Sequence, residues 1–282
     1  GIMTMLIGQF CFSVNDSLIK WTVINLQGNN HLFMVVFFRG VMMCLILAVI
    51  LIYQGKLGYK KLFKPSLLHG RGLIEVGVTF SFLTSVLFFP LTDVYTILLT
   101  APIMITASGV FFFQERVGLR EWLAVFIGFL GVLIVVWPDE MGWEVGYVLP
   151  FFATVMIVFR EVYTKRLPRY YSGLEIVFIT TLILTATAGM LSIPFWKTPD
   201  RSILTPIFGA SVAVSVAHIM MVLTVRLAPL SVTSPGRYSI IIFGAISAFF
   251  ILQEIPSMNT ILGSIIVVGS GLFLMGLEKK KV

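Results

Sequence analysis

Apolar residues in this chain run in long blocks rather than in strict alternation. Ten blocks, at roughly 2–24, 31–53, 68–89, 92–113, 119–137, 145–166, 173–195, 203–226, 230–252 and 258–277, are separated by short polar breaks. A hydrocarbon core about 30 Å thick takes roughly 20 residues of helix to cross, so each block is long enough to span a bilayer. In lipid every backbone polar group needs an internal partner, which leaves helices as the state for runs of this length. Turn-forming residues mark the breaks: Gln27-Gly28-Asn29-Asn30, Phe89-Pro90, Trp137-Pro138-Asp139, Leu167-Pro168, Lys197-Thr198-Pro199-Asp200, Ala228-Pro229 and Ile255-Pro256. The first block starts almost at Gly1 with no charged leader and no small-residue cleavage site behind it, so it is expected to be a true span rather than a signal peptide.

Basic residues set an orientation. Lys56, Lys60, Lys61, Lys64, Arg71, Arg116, Arg120, Lys165, Arg166, Arg169, Arg226, Lys279, Lys280 and Lys281 fall in breaks on one side, against Lys197 and Arg201 on the other. The positive-inside rule then places both termini in the cytoplasm.

Spans 1 to 5 and 6 to 10 correspond in length and order. Phe111-Phe112-Phe113-Gln114-Glu115 closes span 4, and Phe250-Ile251-Leu252-Gln253-Glu254 closes span 9, 139 residues later. Leu91-Thr92 answers Leu230-Ser231, and Ser108 answers Ser247, at the same separation. Asp16 precedes Lys20 in span 1 as Glu161 precedes Lys165 in span 6, an acid and a base on one helix face. Five is odd, so two such units must lie inverted to one another, the construction that lets a protein open alternately to either side of a central site. The expected fold is an all-α integral membrane protein of ten transmembrane helices in two inverted five-helix repeats, residues 1–140 and 141–282.

Composition removes the competing classes. Hydrophobic residues make up 58% and charged residues 12% of the chain, and the mean hydropathy is +0.99, values outside the range of soluble domains. The net charge of +7 sits mostly in the breaks, which argues against nucleic acid as a partner. Cys11 and Cys44 lie inside spans with no metal-ligand spacing, and no metal or cofactor is expected. Walker, His-Glu-x-x-His and Gly-x-Ser-x-Gly motifs are absent, which argues against ATP-driven transport within this chain and against a membrane-embedded enzyme.

Phe37-Phe38-Arg39 in span 2, Gln114-Glu115 ending span 4, Gln253-Glu254 ending span 9 and a glycine-rich span 10 resemble the EamA type of the drug/metabolite transporter superfamily. That resemblance covers nearly the whole chain. It implies a carrier for a small organic solute, often an exporter of amino acids or related metabolites, with a cavity lined by spans 1, 3, 4, 6, 8 and 9. Where the family commonly carries tryptophan-rich or proline-bearing stretches in spans 1 and 6, this chain has Asn15-Asp16 and Arg160-Glu161.

Ionisable residues inside a bilayer cost at least about 2.5 kcal/mol each and therefore tend to face a cavity or a partner. Asp16 and Arg39 fall at matching depth in spans 1 and 2 and are expected to meet as a gating or structural ion pair. Lys20 is placed nearer the surface, where it can snorkel. Glu75, Arg160, Glu161 and Arg237 fall at one depth on the cytoplasmic side, a candidate inner gate or coupling group. His218 lies mid-span, where an imidazole can relay a proton. Phe12, Asn15, Thr84, Tyr95, Tyr163, His218, Arg237 and Tyr238 are the expected substrate contacts, with Pro102, Pro235 and Gly236 as hinges in spans 4 and 9. Gly128 and Gly131 in span 5, and Gly263, Gly269, Gly271 and Gly276 in span 10, allow close helix packing, with a homodimer as the alternative use.

The expected function is secondary transport of a small polar or amphipathic metabolite, foremost an amino acid or similar zwitterion, across the bacterial inner membrane by alternating access, by export or exchange. A passive channel or a lipid scramblase is the alternative, and coupling to protons or to exchange stays open.

Overall fold

The computed structural model describes residues 2–26, 28, 31–55, 67–101, 104, 119–135, 137, 147–165, 171–196, 199–227 and 237–279. Ten α-helices are found among them: α1 (Ile2–Asn25), α2 (Leu32–Tyr53), α3 (Leu67–Phe88), α4 (Leu91–Leu98), α5 (Leu119–Val135), α6 (Val148–Lys165), α7 (Gly173–Ser192), α8 (Arg201–Leu227), α9 (Ser239–Ser247) and α10 (Met258–Lys279). Each falls inside, or within a few residues of, one of the ten apolar blocks. Pro102, Pro235, Gly236 and the Gln114-Glu115 phrase lie outside the described residues, as does the side chain of Glu161.

Local chemistry sets the ends. Ser172 caps α7 in a reciprocal capping box with Glu175, and Pro194 lies in the single 3₁₀ turn, Ile193–Phe195, that follows α7. A π-turn at Ala248–Leu252 extends α9 and ends at Gln253, whose φ of 59° is the left-handed conformation.

The burial pattern is that of a protein whose solvent is lipid. Helix α1 buries Ser13, Asn15, Asp16, Ser17, Lys20 and Thr22 while exposing Met3, Ile7, Phe10 and Ile24. Large apolar side chains also cover the outside of other helices, among them Leu45 and Val49 of α2, Phe126 and Leu130 of α5, and Ile265 of α10. An apolar exterior of this extent would be unstable in water and is matched to hydrocarbon. Four helices among the described residues are long and apolar enough to cross a membrane: Leu32–Tyr53, Leu67–Phe88, Gly173–Phe195 and Arg201–Met221. Buried hydroxyls are satisfied locally, as when Ser85 donates to the Ser81 carbonyl at 2.6 Å and Ser211 to that of Ile207 at 2.7 Å. The chain is an all-α membrane protein.

Helix packing follows a regular scheme. Helix α1 packs on α8 and α3 on α6, α2 packs on α7, α5 on α10, and α4 on α9. Helix α1 also packs on α9 as α4 does on α6, and α2 on α8 as α3 does on α7. Adding or subtracting five converts each of these pairings into itself or into another of them. At the α5–α10 crossing a Cβ on Gly263 would stand 2.6 Å from the Gly131 carbonyl oxygen, so two of the glycines considered for a dimer are used within the chain.

Candidate functional site

On α1 the adjacent Asn15 and Asp16 are buried, and Phe12, one helical turn before them, is half-buried. Around them converge Arg39 of α2, Glu75 of α3, Tyr95 of α4, Arg160 of α6 and His218 of α8, a polar group set in an otherwise apolar protein.

Both oxygens of Asp16 are occupied. The Tyr95 hydroxyl donates to Oδ2 at 2.6 Å and the Asn15 amide to Oδ1 at 2.7 Å. Tyr95 can approach because its ring lies where a Cβ on Gly244 of α9 would otherwise stand, 2.4 Å from that position. Arg39 donates through Nη1 to the Asn15 oxygen at 3.4 Å. The direct Asp16–Arg39 ion pair expected from matching depth is therefore not formed: Asn15 stands between the two, and Asp16 is satisfied by neutral donors. Arg39 is 7% exposed, and its buried Nε has no hydrogen-bond partner among the described residues.

The second acid has a different solution. Glu75 accepts from Arg160 Nη1 at 3.2 and 3.4 Å and pairs with Arg71 at 3.4 Å. Arg71, read from sequence as an orienting loop charge, lies in the first turns of α3 and has a 13% exposed side chain. It also donates to Thr164 of α6 at 3.1 Å, so α3 and α6 are joined twice. Arg237 makes no ion pair with Glu75 or with any other acid among the described residues.

His218 lies within electrostatic range of Glu75, Arg160 and Arg39. Its Nδ1 is 2.8 Å from the Val214 carbonyl oxygen. A carbonyl can only accept, so Nδ1 carries the proton and Nε2 is left available. The Phe12 ring meets the imidazole edge-on at 5.1 Å. Tyr238 is buried against Gly271 of α10, with its hydroxyl unpartnered among the described residues. Tyr163 is half-buried beside Phe159, and Thr84 is half-buried with no hydrogen bond among the described residues.

A second polar assembly ties one end of the bundle. Lys20 is 4% exposed and forms an ion pair with Glu254, and it also donates to the Phe89 carbonyl at 2.7 Å. The other oxygen of Glu254 accepts from the backbone N–H of Leu91 at 3.1 Å, at the N-terminus of α4, where the helix dipole favours negative charge. Asp93, in the same first turn, accepts from Thr260 of α10 at 2.5 Å and from Tyr147 at 3.2 Å, and Tyr147 stacks on Phe89 at 4.2 Å. Lys20 thus does not snorkel, and Glu254 is a working contact rather than only a mark of internal symmetry. Sequence reasoning missed this pair because its partners stand in different halves of the chain. The signal available was the Asp16–Lys20 spacing, which puts Lys20 on the buried face of α1.

Residues 1–137 match the EamA-like transporter family. The chain is similar to proteins named S-adenosylmethionine uptake transporter, at 23% identity to that of Rickettsia prowazekii (100% of this chain, 94% of the relative) and 24% to that of Rickettsia felis (99% and 94%). It is 23% identical to a riboflavin transporter of Vibrio cholerae over 68% of this chain and 65% of that protein. A protein crystal structure shares its fold, with a TM-score of 0.64 and 15% identity over 99% of this chain and 98% of that one. Family and relatives point to transport of small metabolites rather than to catalysis. With its apolar exterior and a family match over residues 1–137, the chain is a multi-pass inner-membrane protein that resembles the EamA-like transporters.

Proposed function

We propose that this protein is a secondary carrier that moves a small zwitterionic metabolite, an amino acid or a compound with an amino-acid headgroup, by alternating access. The observation that carries this reading is two buried polar groups, Tyr95–Asp16–Asn15–Arg39 and Glu75–Arg160, with His218 within electrostatic range of both, drawn from α1, α2, α3, α4, α6 and α8. Buried charges of both signs suit a solute whose two ends need opposite partners, and charged groups are kept in a bilayer when they meet cargo or each other.

The packing scheme that survives the addition of five supports a division into two inverted units, residues 1–140 and 141–282, moving about the shared centre. With both termini cytoplasmic, Lys20 and Glu254 would lie at the external end, where their ion pair ties α1 to the end of α9. S-Adenosylmethionine, for which relatives are named, has an amino-acid end and a planar base, and the Phe12–His218 pair offers an aromatic wall for such a ring. The names of those relatives speak for uptake and give no support to export, so exchange is the mode we favour.

The test is counterflow in proteoliposomes. Vesicles loaded with unlabelled S-adenosylmethionine, single amino acids or riboflavin are diluted into trace labelled compound, and saturable accumulation driven by the preload is expected for at least one zwitterion. Flux that never saturates would indicate a pore, and absence of flux for every compound would sink the carrier reading.

A further inference from the structure

Among the described side chains the central cluster holds three guanidiniums, those of Arg39, Arg71 and Arg160, and two carboxylates, those of Asp16 and Glu75. Each acid is already engaged. Glu75 takes Arg160 and Arg71, and Asp16 takes the Tyr95 hydroxyl and the Asn15 amide. Arg39 is left as the cation of this cluster with no carboxylate partner among the described residues, although it is 93% buried by its 7% exposure. Of its five N–H donors one makes a long hydrogen bond, at 3.4 Å to Asn15, and Nε makes none among the described residues. A buried guanidinium in this condition carries a desolvation cost that an incoming anion would relieve, and its planar fork matches a carboxylate with two parallel hydrogen bonds. Asn15 borders the guanidinium, and His218, whose Nε2 is available and whose ring meets Phe12, lies within electrostatic range of it.

We infer that Arg39 is the carboxylate anchor of the substrate site, so that the cargo must carry a carboxylate. This rests on the carrier reading above and narrows it from polar metabolites to carboxylate-bearing ones. The arrangement of Asp16 is part of the device: a neutral-donor shell on the acid keeps Arg39 from being consumed inside the protein.

The experiment measures binding to the purified full-length chain by thermal shift and equilibrium dialysis, with each of the common amino acids paired with its amide and its decarboxylated amine. The wild type is expected to prefer acids over both analogues by about tenfold or more, a difference a lost charge-assisted contact readily produces. Arg39→Gln should bring that ratio to about one. Arg39→Lys should keep part of it. Asn15→Asp places a carboxylate beside Arg39 and should also abolish the preference while leaving the charge of Arg39 intact, a result that a merely structural role for Arg39 does not produce. An unchanged acid preference in Arg39→Gln, or a wild type that does not prefer or does not bind carboxylates, overturns the inference. Counterflow of an uncharged or purely cationic compound would keep the carrier reading and overturn this one. Arg39-dependent acid binding without counterflow of any compound would keep this one and overturn the carrier reading.

Discussion

Lys20 of α1 and Glu254, just beyond the π-turn that extends α9, form an ion pair between residues 234 positions apart, with the Lys20 side chain 5% and the Glu254 side chain 25% exposed. The same two side chains also grip the turn between α3 and α4, through the Phe89 carbonyl and the Leu91 N–H. One contact therefore holds together three segments at one end of the bundle. Lys20→Met leaves a partly buried carboxylate without its cation and should cost about 3 kcal/mol, toward the low end for a broken buried pair because Glu254 is partly exposed. The double variant Lys20→Met with Glu254→Gln should be less destabilised than the sum of the two, as thermal unfolding in detergent would register. Strict additivity would mean that the pair does not couple.

The Tyr95–Asp16 bond joins α4 to α1. Tyr95→Phe keeps the ring in its seat against Gly244 and removes only the donor to Asp16 Oδ2. A hydrogen bond to a charged group contributes about 1.5–3 kcal/mol, so a loss of stability in that range is expected by thermal unfolding, together with slower counterflow. A variant as stable and as active as the wild type would show that Asp16 does not depend on this hydroxyl.

Tyr238 provides the opposite case. Its hydroxyl is buried, packed over Gly271 and unpartnered among the described residues, so Tyr238→Phe removes an unsatisfied donor and should be neutral or stabilising by about 1 kcal/mol. If the hydroxyl serves the substrate, counterflow should fall while the melting temperature holds. A clear loss of stability would instead reveal a structural partner.

Gly263 and Gly269 separate close packing from open surface on α10. Gly263→Ala drives a Cβ into the Gly131 carbonyl and the Val135 side chain and should cost about 1–3 kcal/mol. Gly269→Ala meets no atom within 4 Å and should stay within about 0.5 kcal/mol of the wild type. Equal effects in unfolding measurements would contradict the α5–α10 crossing described above.

The positions of the ten helices could be read along the chain because lipid imposes a local rule: an apolar run must be long enough to cross and must satisfy its own backbone. The bounds of α2, Leu32–Tyr53, and α7, Gly173–Ser192, follow from such runs, and the start of α7 also from its Ser172 cap. Membership of the polar cluster was also legible in part, since Asp16, Arg39, Glu75, Arg160 and His218 stand out as titratable groups in apolar surroundings. Their partners were not. Depth along a helix is a one-dimensional quantity, and it brought Asp16 and Arg39 to one level without showing that Asn15 lies between them or that Tyr95 arrives from α4.

Span length, helical state and the set of charges buried in the membrane are thus properties of the chain read in order, because each depends on neighbouring residues and on the solvent. The choice of Glu254 for Lys20, of Arg71 and Arg160 for Glu75, and of no acid for Arg39 depends on how the helices are rotated and which of them touch. Those choices come from packing between segments up to 234 residues apart, where side-chain shape and the demand that buried charge be met select one arrangement.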